Sequence, residues 1–278
     1  MVNGSCLCGK VTFAARDAFT DMSHCHCSIC RKMHGSLFAT YLDTVDYEIT
    51  SGIEWVRTYV SSPGFNRVFC GECGSTLPER DQDGLTYIPA GLLDDDPGIR
   101  PSKHIFTESK SAAYTIYDDL PQLEYYGDGN LSRVVKSTKV NAKAGVVSGG
   151  CQCGEVAFEY TGTPKFAMNC HCSRCRKVKG AAHATNVFVP IAQLTWLRGE
   201  GHMNNFDLPG AERFGNAFCR TCGSSVPRES SATGMFNIPA GSLNESPGVD
   251  AKGHIFVGSK APWFEISDAL PQWDEMPS

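Results

Sequence analysis

The 278-residue sequence lacks three features that would assign it to a large class of proteins. It has no run of about 18 uncharged apolar residues, so no membrane-spanning helix is expected. The segment from Met1 to Cys6 has neither a basic start nor an apolar stretch, so we predict no secretory signal. Positive charge is not in excess, because 25 Lys and Arg stand against 30 Asp and Glu, which disfavours a nucleic-acid partner. These absences predict a cytoplasmic or nuclear protein with neither a membrane nor a nucleic-acid partner.

Cysteine, in contrast, is abundant and ordered. The 14 cysteines form two sets of seven, each written C-x-C, then C-H-C-x-x-C, then C-x-x-C-G. The first set is Cys6, Cys8, Cys25, Cys27, Cys30, Cys70 and Cys73, and the second is Cys151, Cys153, Cys170, Cys172, Cys175, Cys219 and Cys222. In a chain without an export signal, such cysteines more often bind metal or react than form structural disulfides.

The repeat predicts two tandem domains. Cys6 and Cys151 lie 145 residues apart, whereas Cys70 and Cys219 lie 149 apart, so the second copy has a four-residue insertion before its C-x-x-C. We expect domains at residues 1–126 and 148–278, joined by a linker at 127–147 that is rich in Gly, Ser and Lys. We interpret the linker as a solvated basic connector, in preference to an interaction tail.

The secondary structure is predicted to be mainly β. Residues 10–14 and 155–159 alternate polar and apolar side chains, as half-buried strands do. Short strands are also expected at residues 37–41 and 85–88. The sequence contains no strong amphipathic helix of 12 or more residues, and short helical turns are expected after Cys30 and after Cys175.

Four cysteines of each set have the spacing of a closed zinc site. Cys6, Cys8, Cys70 and Cys73 form two short-range pairs, as do Cys151, Cys153, Cys219 and Cys222. Two such pairs from separate hairpins supply the tetrahedron that zinc prefers, and the glycine after the last cysteine fits a tight turn. Disulfides or free buried thiols are the alternative, although C-x-C is a poor disulfide spacing.

The other three cysteines of each set predict an open metal site. They are Cys25, Cys27 and Cys30 in the first copy, and Cys170, Cys172 and Cys175 in the second. Residues two apart in an extended segment point to the same side, and the following turn brings in the third sulfur. Three protein ligands leave one position vacant, as in catalytic zinc sites, and a substrate thiol can fill it as a thiolate.

The residues between and after these cysteines are candidates for further roles. His26 and His171 could close the site as a fourth ligand, or could act as proton-transfer groups from the opposite side of the strand. Arg31 and Arg176 could stabilise thiolates or attract the carboxylate of a thiol co-substrate. His104 and His254 are interpreted as structural.

Several motifs of the sequence resemble those of a known family. Gly4 to Gly9, Cys25 to Arg31, Phe69 to Ser75 and His104 to Phe106 are similar to the motifs of the glutathione-dependent formaldehyde-activating enzyme family, which includes centromere protein V. The second copy repeats these motifs and adds the family's Ser-Lys-Ala-Pro-Trp at 259–263.

The resemblance implies a mainly β fold of two tandem zinc-containing β-tent domains, each made of stacked antiparallel sheets. It further implies up to four Zn²⁺ per chain, structural at the four-cysteine sets and labile at the three-cysteine sets. The implied activity is that of a carbon–sulfur lyase that takes glutathione or another thiol with formaldehyde or another aldehyde. A non-catalytic thiol carrier, a zinc-stapled protein-interaction module and reversible disulfide formation remain as alternatives.

Overall fold

The structure, a computed structural model, describes residues 1–16, 19–126 and 143–277. The elements of the first copy are β1 (Val2–Ser5), β2 (Thr12–Ala15), β3 (Phe19–Cys25), α1 (Ser28–His34), β4 (Ala39–Thr44), β5 (Tyr47–Ser51), β6 (Val56–Ser62), β7 (Phe65–Cys70), β8 (Thr76–Leu77), β9 (Glu79–Arg80), β10 (Thr86–Pro89) and β11 (Lys103–Ile105). Those of the second copy are β12 (Val146–Gly150), β13 (Ala157–Thr161), β14 (Phe166–Cys170), α2 (Ser173–Lys179), β15 (Ala184–Pro190), β16 (Leu194–Arg198), β17 (Met203–Asp207), β18 (Gly215–Cys219), β19 (Ser225–Val226), β20 (Arg228–Ser230), β21 (Met235–Pro239) and β22 (Ala251–Ile255). Single 3₁₀ turns lie at Ile53–Trp55, Ala90–Leu92, Thr107–Ser109, Ile191–Gln193, Glu200–His202, Ala240–Ser242 and Val257–Ser259.

Both copies have the same sheet topology, which confirms the mainly β prediction. In the first copy the sheets are β1-β2-β5, β11-β3-β4-β10-β9 and β6-β7-β8, and in the second they are β12-β13-β16, β20-β21-β15-β14-β22 and β17-β18-β19. The sheets are antiparallel except at one edge, where β11 runs parallel to β3 and β22 runs parallel to β14. The expected antiparallel sheets thus each gain one parallel strand at an edge, which the sequence did not predict.

The strands expected at residues 10–14 and 155–159 begin later than predicted, at Thr12 and Ala157. The reason is local, since the residues before each strand close the cysteine turn. The amide of Val11 donates to Sγ of Cys6 at 3.3 Å, and the amide of Val156 donates to Sγ of Cys151 at 3.2 Å. The geometry of the cysteine turn thus takes precedence over side-chain alternation at these positions.

The four-residue insertion of the second copy lies in two places. Val56 pairs with Cys70 and Met203 with Cys219, so two of the extra residues precede Met203. The other two lie between the pair Val60–Asn66 and its counterpart Asp207–Gly215, since this span is residues 61–65 in the first copy and 208–214 in the second.

The two copies pack against each other through one shared apolar core that contains buried residues of both, Phe69 and Phe218 among them. Helix α1 lies against the turn Ala240–Ser242 of the second copy, and α2 lies against the turn Ala90–Leu92 of the first. The rings of Phe69 and Phe218 meet edge to face, with their centroids 6.3 Å apart. The packing is thus reciprocal, as in a two-fold symmetric dimer.

Two lysines join the copies in the same reciprocal way. Nζ of Lys32 donates to the carbonyl oxygen of Gly150 at 3.0 Å and to Oδ1 of Asn244 at 2.9 Å. Nζ of Lys177 donates to the carbonyl oxygen of Leu92 at 3.0 Å and also contacts a carboxylate oxygen of Asp94. These lysines are interface groups, and the sequence did not reveal that role.

The predicted linker falls mainly outside the described residues, at 127–142. The strand β12 begins at Val146, two residues before the predicted start of the second domain at 148, and the boundaries stay a prediction. Within the described residues, no helix is long and apolar enough to cross a membrane.

Candidate metal and substrate sites

The structure brings the four-cysteine sets together as predicted. Within each set, Cys6, Cys8, Cys70 and Cys73 or Cys151, Cys153, Cys219 and Cys222, all four Sγ atoms lie within 4.8 Å of one another. Neighbouring sulfurs are 3.4 Å apart between Cys6 and Cys8, and 3.8 Å apart between Cys8 and Cys70. Four thiolates bound tetrahedrally to an ion at about 2.3 Å would be separated by about 3.8 Å. The donor set and its size therefore fit a four-coordinate metal ion, and all fourteen cysteines are free thiols.

The glycines that follow these sets adopt the tight turn that was expected of them. Gly74 and Gly223 have φ angles of 75° and 73°, a region that favours glycine. Their amides donate to the carbonyl oxygens of Cys70 and Cys219 at 2.9 and 3.0 Å, which closes the turn. A Cβ atom on Gly74 would lie 2.5 Å from the ring of Phe218 in the other copy.

Each three-cysteine set lies where a strand meets a short helix. Cys25 ends β3, Cys27 is the N-cap of α1, and Cys30 lies in its first turn. The amide of Cys30 donates to Sγ of Cys27 at 3.3 Å, and the Sγ atoms of Cys25 and Cys30 are 3.5 Å apart. Cys170, Cys172 and Cys175 repeat the arrangement at β14 and α2. Among the described residues, neither set includes a fourth Cys, His, Asp or Glu ligand.

The thiols of the first set share charge unequally when no cation is present. Hydrogen bonds from Cys25 and Cys27 lower the pKa of Cys30 against the opposing effect of burial. The pKa of Cys25 is raised, because its own hydrogen bonds to Cys27 and Cys30 and its burial favour the neutral thiol. Three thiolates this close require a positive ion between them, which again fits a metal site.

The histidines between the cysteines point away from the sulfurs. Nε2 of His26 lies 2.8 Å from Nδ1 of His104, whose Nε2 is 3.0 Å from a carboxylate oxygen of Asp118. His171 makes the matching contact with His254 at 2.8 Å. Burial, with a further contribution from His104, lowers the pKa of His26 to about 3. Neither His26 nor His171 is among the metal-binding groups, and their catalytic role stays a prediction.

Of the two arginines that follow the cysteines, Arg31 is held against the backbone. Nε of Arg31 donates to the carbonyl oxygen of His26 at 3.3 Å, and its Nη2 donates to the carbonyl oxygen of Ser109 at 3.2 Å. Burial lowers the pKa of Arg176, its counterpart. Neither Arg31 nor Arg176 lines the cavity beside Cys30. The binding of a co-substrate carboxylate by these arginines stays a prediction.

A cavity of about 440 Å³ opens beside the first three-cysteine set, within the size range of small-molecule sites. All three sulfur-bearing residues line it. Its aromatic wall consists of Tyr41, Phe65, Tyr87, Phe106 and Tyr126, and its charged residues are Asp43, Arg67 and Glu79. The sequence alone predicts a site role for none of these eight residues. Differences between the copies could have found them, since Asn186 stands where the first copy has Tyr41.

Tyr41 connects the cavity to the other copy through His34. The hydroxyl of Tyr41 lies 3.6 Å from Sγ of Cys30 and 2.8 Å from Nε2 of His34. Nδ1 of His34 is 2.6 Å from the carbonyl oxygen of Lys179. Because a carbonyl oxygen can only accept, Nδ1 of neutral His34 carries the proton and Nε2 accepts from Tyr41. The second copy therefore fixes the tautomer of a histidine next to the first copy's cavity.

Arg67 and Glu79 form a charged pair in the same cavity. Their closest atoms, Nη1 and Oε2, are 3.6 Å apart, and the side chains are only 14% and 12% exposed. Nε of Arg67 is buried and has no hydrogen-bond partner among the described residues. An unsatisfied buried donor is costly, and this one belongs to a residue that lines the cavity.

Asp43 should make stability depend on pH. Burial raises its pKa from 3.8 to about 7, with repulsion from Asp21 adding to the rise and Lys103 opposing it. The folded chain holds this proton more tightly than the unfolded chain, so the contribution of Asp43 to stability falls as the pH rises from about 4 to 7. Asp43→Asn, which stays neutral, is expected to raise the free energy of unfolding at pH 8 by up to about 4 kcal/mol, the equivalent of three pKa units.

The gain from Asp43→Asn should shrink as the pH is lowered to 5, and urea unfolding at several pH values measures it. Asp83→Asn, at an exposed position, is the control and should show no such trend. A gain of equal size at pH 5 and pH 8 would contradict the expectation.

Comparison with known proteins agrees with the motifs. The family model described as glutathione-dependent formaldehyde-activating enzyme matches residues 1–109 and again residues 146–259. A Schizosaccharomyces pombe protein named an uncharacterized lyase is 35% identical over 74 residues, which are 27% of this chain and 53% of that protein. The chain thus spans about half the length of that relative.

Two further proteins show more distant similarity. A Halomonas elongata protein, provisionally named a glutathione-dependent formaldehyde-activating enzyme, is 32% identical over 122 residues, which are 40% of this chain and 77% of that protein. The crystal structure of a Rhodobacter sphaeroides protein aligns with 35% of this chain and 87% of its own, at 24% identity and a TM-score of 0.28, which is too low to support a conclusion. The family model, in contrast, covers both copies, and the chain belongs to the glutathione-dependent formaldehyde-activating enzyme family.

Proposed function

We propose that this chain is a zinc-dependent carbon–sulfur lyase that acts on the adduct of a thiol, glutathione or a close analogue, with formaldehyde or another small aldehyde. The observation that carries the proposal is the set Cys25, Cys27 and Cys30, which lies in the wall of a 440 Å³ cavity and has no fourth protein ligand among the described residues. The family and the names of the relatives, one a lyase and one a formaldehyde-activating enzyme, support the same class of reaction.

Zinc fits the donor sets because it prefers four-coordinate thiolate sites. We propose up to four ions per chain, two held by the four-cysteine sets and two by the three-cysteine sets. When bound at an open set, the ion supplies a position at which a substrate sulfur is held as thiolate.

The reaction makes or breaks one C–S bond and moves one proton. In the cleavage direction, the C–S bond of the adduct breaks, the hydroxyl oxygen becomes the aldehyde oxygen, and the hydroxyl proton leaves. Tyr41 lies beside Cys30 and can take up this proton as its own O–H proton passes to Nε2 of His34, 2.8 Å away. Burial raises the pKa of Tyr41, so the resting phenol is neutral and holds the proton that it would pass to His34.

The remaining cavity residues bind and orient. The aromatic wall excludes water, because water would otherwise compete with the thiol for the aldehyde carbon. Arg67 lines the cavity, and its guanidinium is placed to bind a carboxylate of the thiol. Tyr41 and Arg67 are thus the proposed proton-transfer and binding residues, in addition to the three cysteines.

Tyr41→Phe is the variant that tests this function. We expect about a 100-fold slower exchange between glutathione and its formaldehyde adduct, the order of effect of removing one proton-transfer group. Magnetisation-transfer NMR measures the exchange at equal zinc content. Tyr117→Phe, at a position that is 61% exposed, is the control and should exchange at the wild-type rate. A zinc-loaded wild-type chain that binds the adduct without accelerating exchange would be a carrier, and the lyase proposal would be wrong.

A further inference from the structure

We infer that the chain has one substrate site and not two: the cavity at Cys25, Cys27 and Cys30 takes the thiol adduct, while the set Cys170, Cys172 and Cys175 is a support. This inference rests on the proposed function for its substrate class. The cysteines do not distinguish the copies, since both sets are intact. The difference lies in the side chains around them.

Large side chains pack around the second set. A cavity that touches Cys175, the one cysteine of the set in its lining, has a volume of about 40 Å³, room for only a few water molecules. The rings of Phe166 and Phe188 stack with their centroids 4.4 Å apart, and Phe166 and Trp273 pack against the cluster that contains the second set. A tripeptide thiol such as glutathione needs far more room than this.

Strand register shows that larger side chains in the second copy occupy positions that are equivalent to cavity-lining positions in the first copy. In the first copy, Ser23 pairs with Tyr41 and Asp21 pairs with Asp43 across β3 and β4. In the second copy the same ladder positions of β14 and β15 hold Met168 opposite Asn186 and Phe166 opposite Phe188. Two small or charged residues that line the first cavity, Ser23 and Asp43, are therefore replaced by Met168 and Phe188.

The polar groups that would handle a substrate are also absent from the second set. Asn186 replaces Tyr41, and Asn216 replaces Arg67. Nδ2 of Asn216 donates to the carbonyl oxygen of Cys73 at 3.0 Å, and its Oδ1 accepts from Nζ of Lys179 at 3.2 Å. The position that presents a guanidinium to the first cavity is thus used in the second copy for contact between the copies.

The second copy instead serves the first. The carbonyl oxygen of Lys179, at the end of α2, holds Nδ1 of His34, and His34 in turn holds Tyr41 at the first cavity. A metal ion at the second set would anchor the N-terminus of α2 and hence the position of this carbonyl. Lys179 is a positioning residue by its backbone, because it acts on the first cavity through His34.

Exposure of the sulfurs alone does not separate the two sets. Cys172 is only half-buried, so a small thiol reagent can reach the second set as well. The test must therefore use a ligand of substrate size. Glutathione with excess formaldehyde, titrated into the zinc-loaded full chain by calorimetry, gives the number of binding sites directly.

We expect one adduct bound per chain. The double variant Ser23→Met, Asp43→Phe, which copies the second set's residues into the first cavity, should lose binding while keeping its zinc content and a single thermal transition. The matched double variant Met168→Leu, Phe188→Leu, at the same ladder positions of the second copy, should keep one bound adduct. Co²⁺ in place of zinc provides a second readout, since a thiol that joins the metal alters the thiolate-to-cobalt absorption band.

Two bound adducts per chain would overturn the inference and leave the proposed function standing. The same holds if the second-copy variant, and not the first-copy variant, loses binding. No binding to a fully zinc-loaded wild-type chain would remove the proposed function together with the inference, so the two failures are distinct.

Discussion

Replacing Cys73 with serine is expected to unfold both copies of the domain, although the substitution removes a ligand from the first copy alone. Binding of a structural zinc ion is worth roughly 10–16 kcal/mol in small zinc domains, whereas whole domains are stable by about 5–15 kcal/mol. A variant that no longer binds this ion would therefore lose a stabilisation comparable to the whole free energy of unfolding of a domain.

The loss should spread because the metal turn of the first copy is part of the contact between copies. The carbonyl oxygen of Cys73 accepts from Asn216, Gly74 lies directly against Phe218, and Phe218 packs on Phe69. Urea unfolding followed by tryptophan fluorescence reports on both halves, since Trp55 lies in the first copy and the other three tryptophans lie in the second.

Glu72→Gln is the matched control, because Glu72 lies between Cys70 and Cys73 but binds no metal. It loses only an exposed ion pair with Lys10, worth at most about 1 kcal/mol. Two separate unfolding steps in Cys73→Ser, with the second-copy tryptophans keeping their wild-type midpoint, would show that the halves unfold independently.

Two glycines at the contact between copies should tolerate no side chain. A Cβ atom on Gly241 would lie 2.3 Å from the carbonyl oxygens of Arg31 and Ser36, and one on Gly91 would lie 2.3 Å from the amide nitrogen of Ala181. These neighbours are backbone atoms of the opposite copy, so no flexible side chain can move aside. Gly241→Ala and Gly91→Ala are each expected to destabilise the chain by about 3 kcal/mol or more.

Gly201→Ala serves as the control, because no heavy atom lies within 4 Å of its added Cβ. Its effect should stay within about 0.5 kcal/mol. Thermal and urea unfolding of the three variants, each with the same zinc content, measure the difference. Equal stability of Gly241→Ala and Gly201→Ala would show that the two copies do not pack as closely as the 2.3 Å distances at Gly241 require.

Much of this organisation is readable from the cysteines. Their spacing groups them into two fours and two threes, and the structure brings together the same groups. The repeat likewise predicts two copies of one mainly β topology, which both the sheets and the family match confirm. Short-range spacing is informative here because a metal site would require its ligands to lie in a fixed geometry.

The cavity could not be read in the same way. Tyr41, Arg67 and Tyr126 reach it from distant parts of the chain, and alternation along one strand specifies a face without naming what that face meets. The interface lysines were missed for a related reason. Lys32 looks like a surface charge until the carbonyl oxygen of Gly150, 118 residues away, is placed beside it.

The reciprocal contacts of Lys32 and Lys177 have a consequence for how such a chain can evolve. In a homodimer of identical subunits every substitution occurs twice, so a change that fills one pocket fills both. Once two copies are joined in one chain, a substitution changes one half only. The association of the halves then no longer depends on protein concentration. One half can then have asparagine where the other has tyrosine, and phenylalanine where the other has aspartate, while the other half keeps its cavity residues.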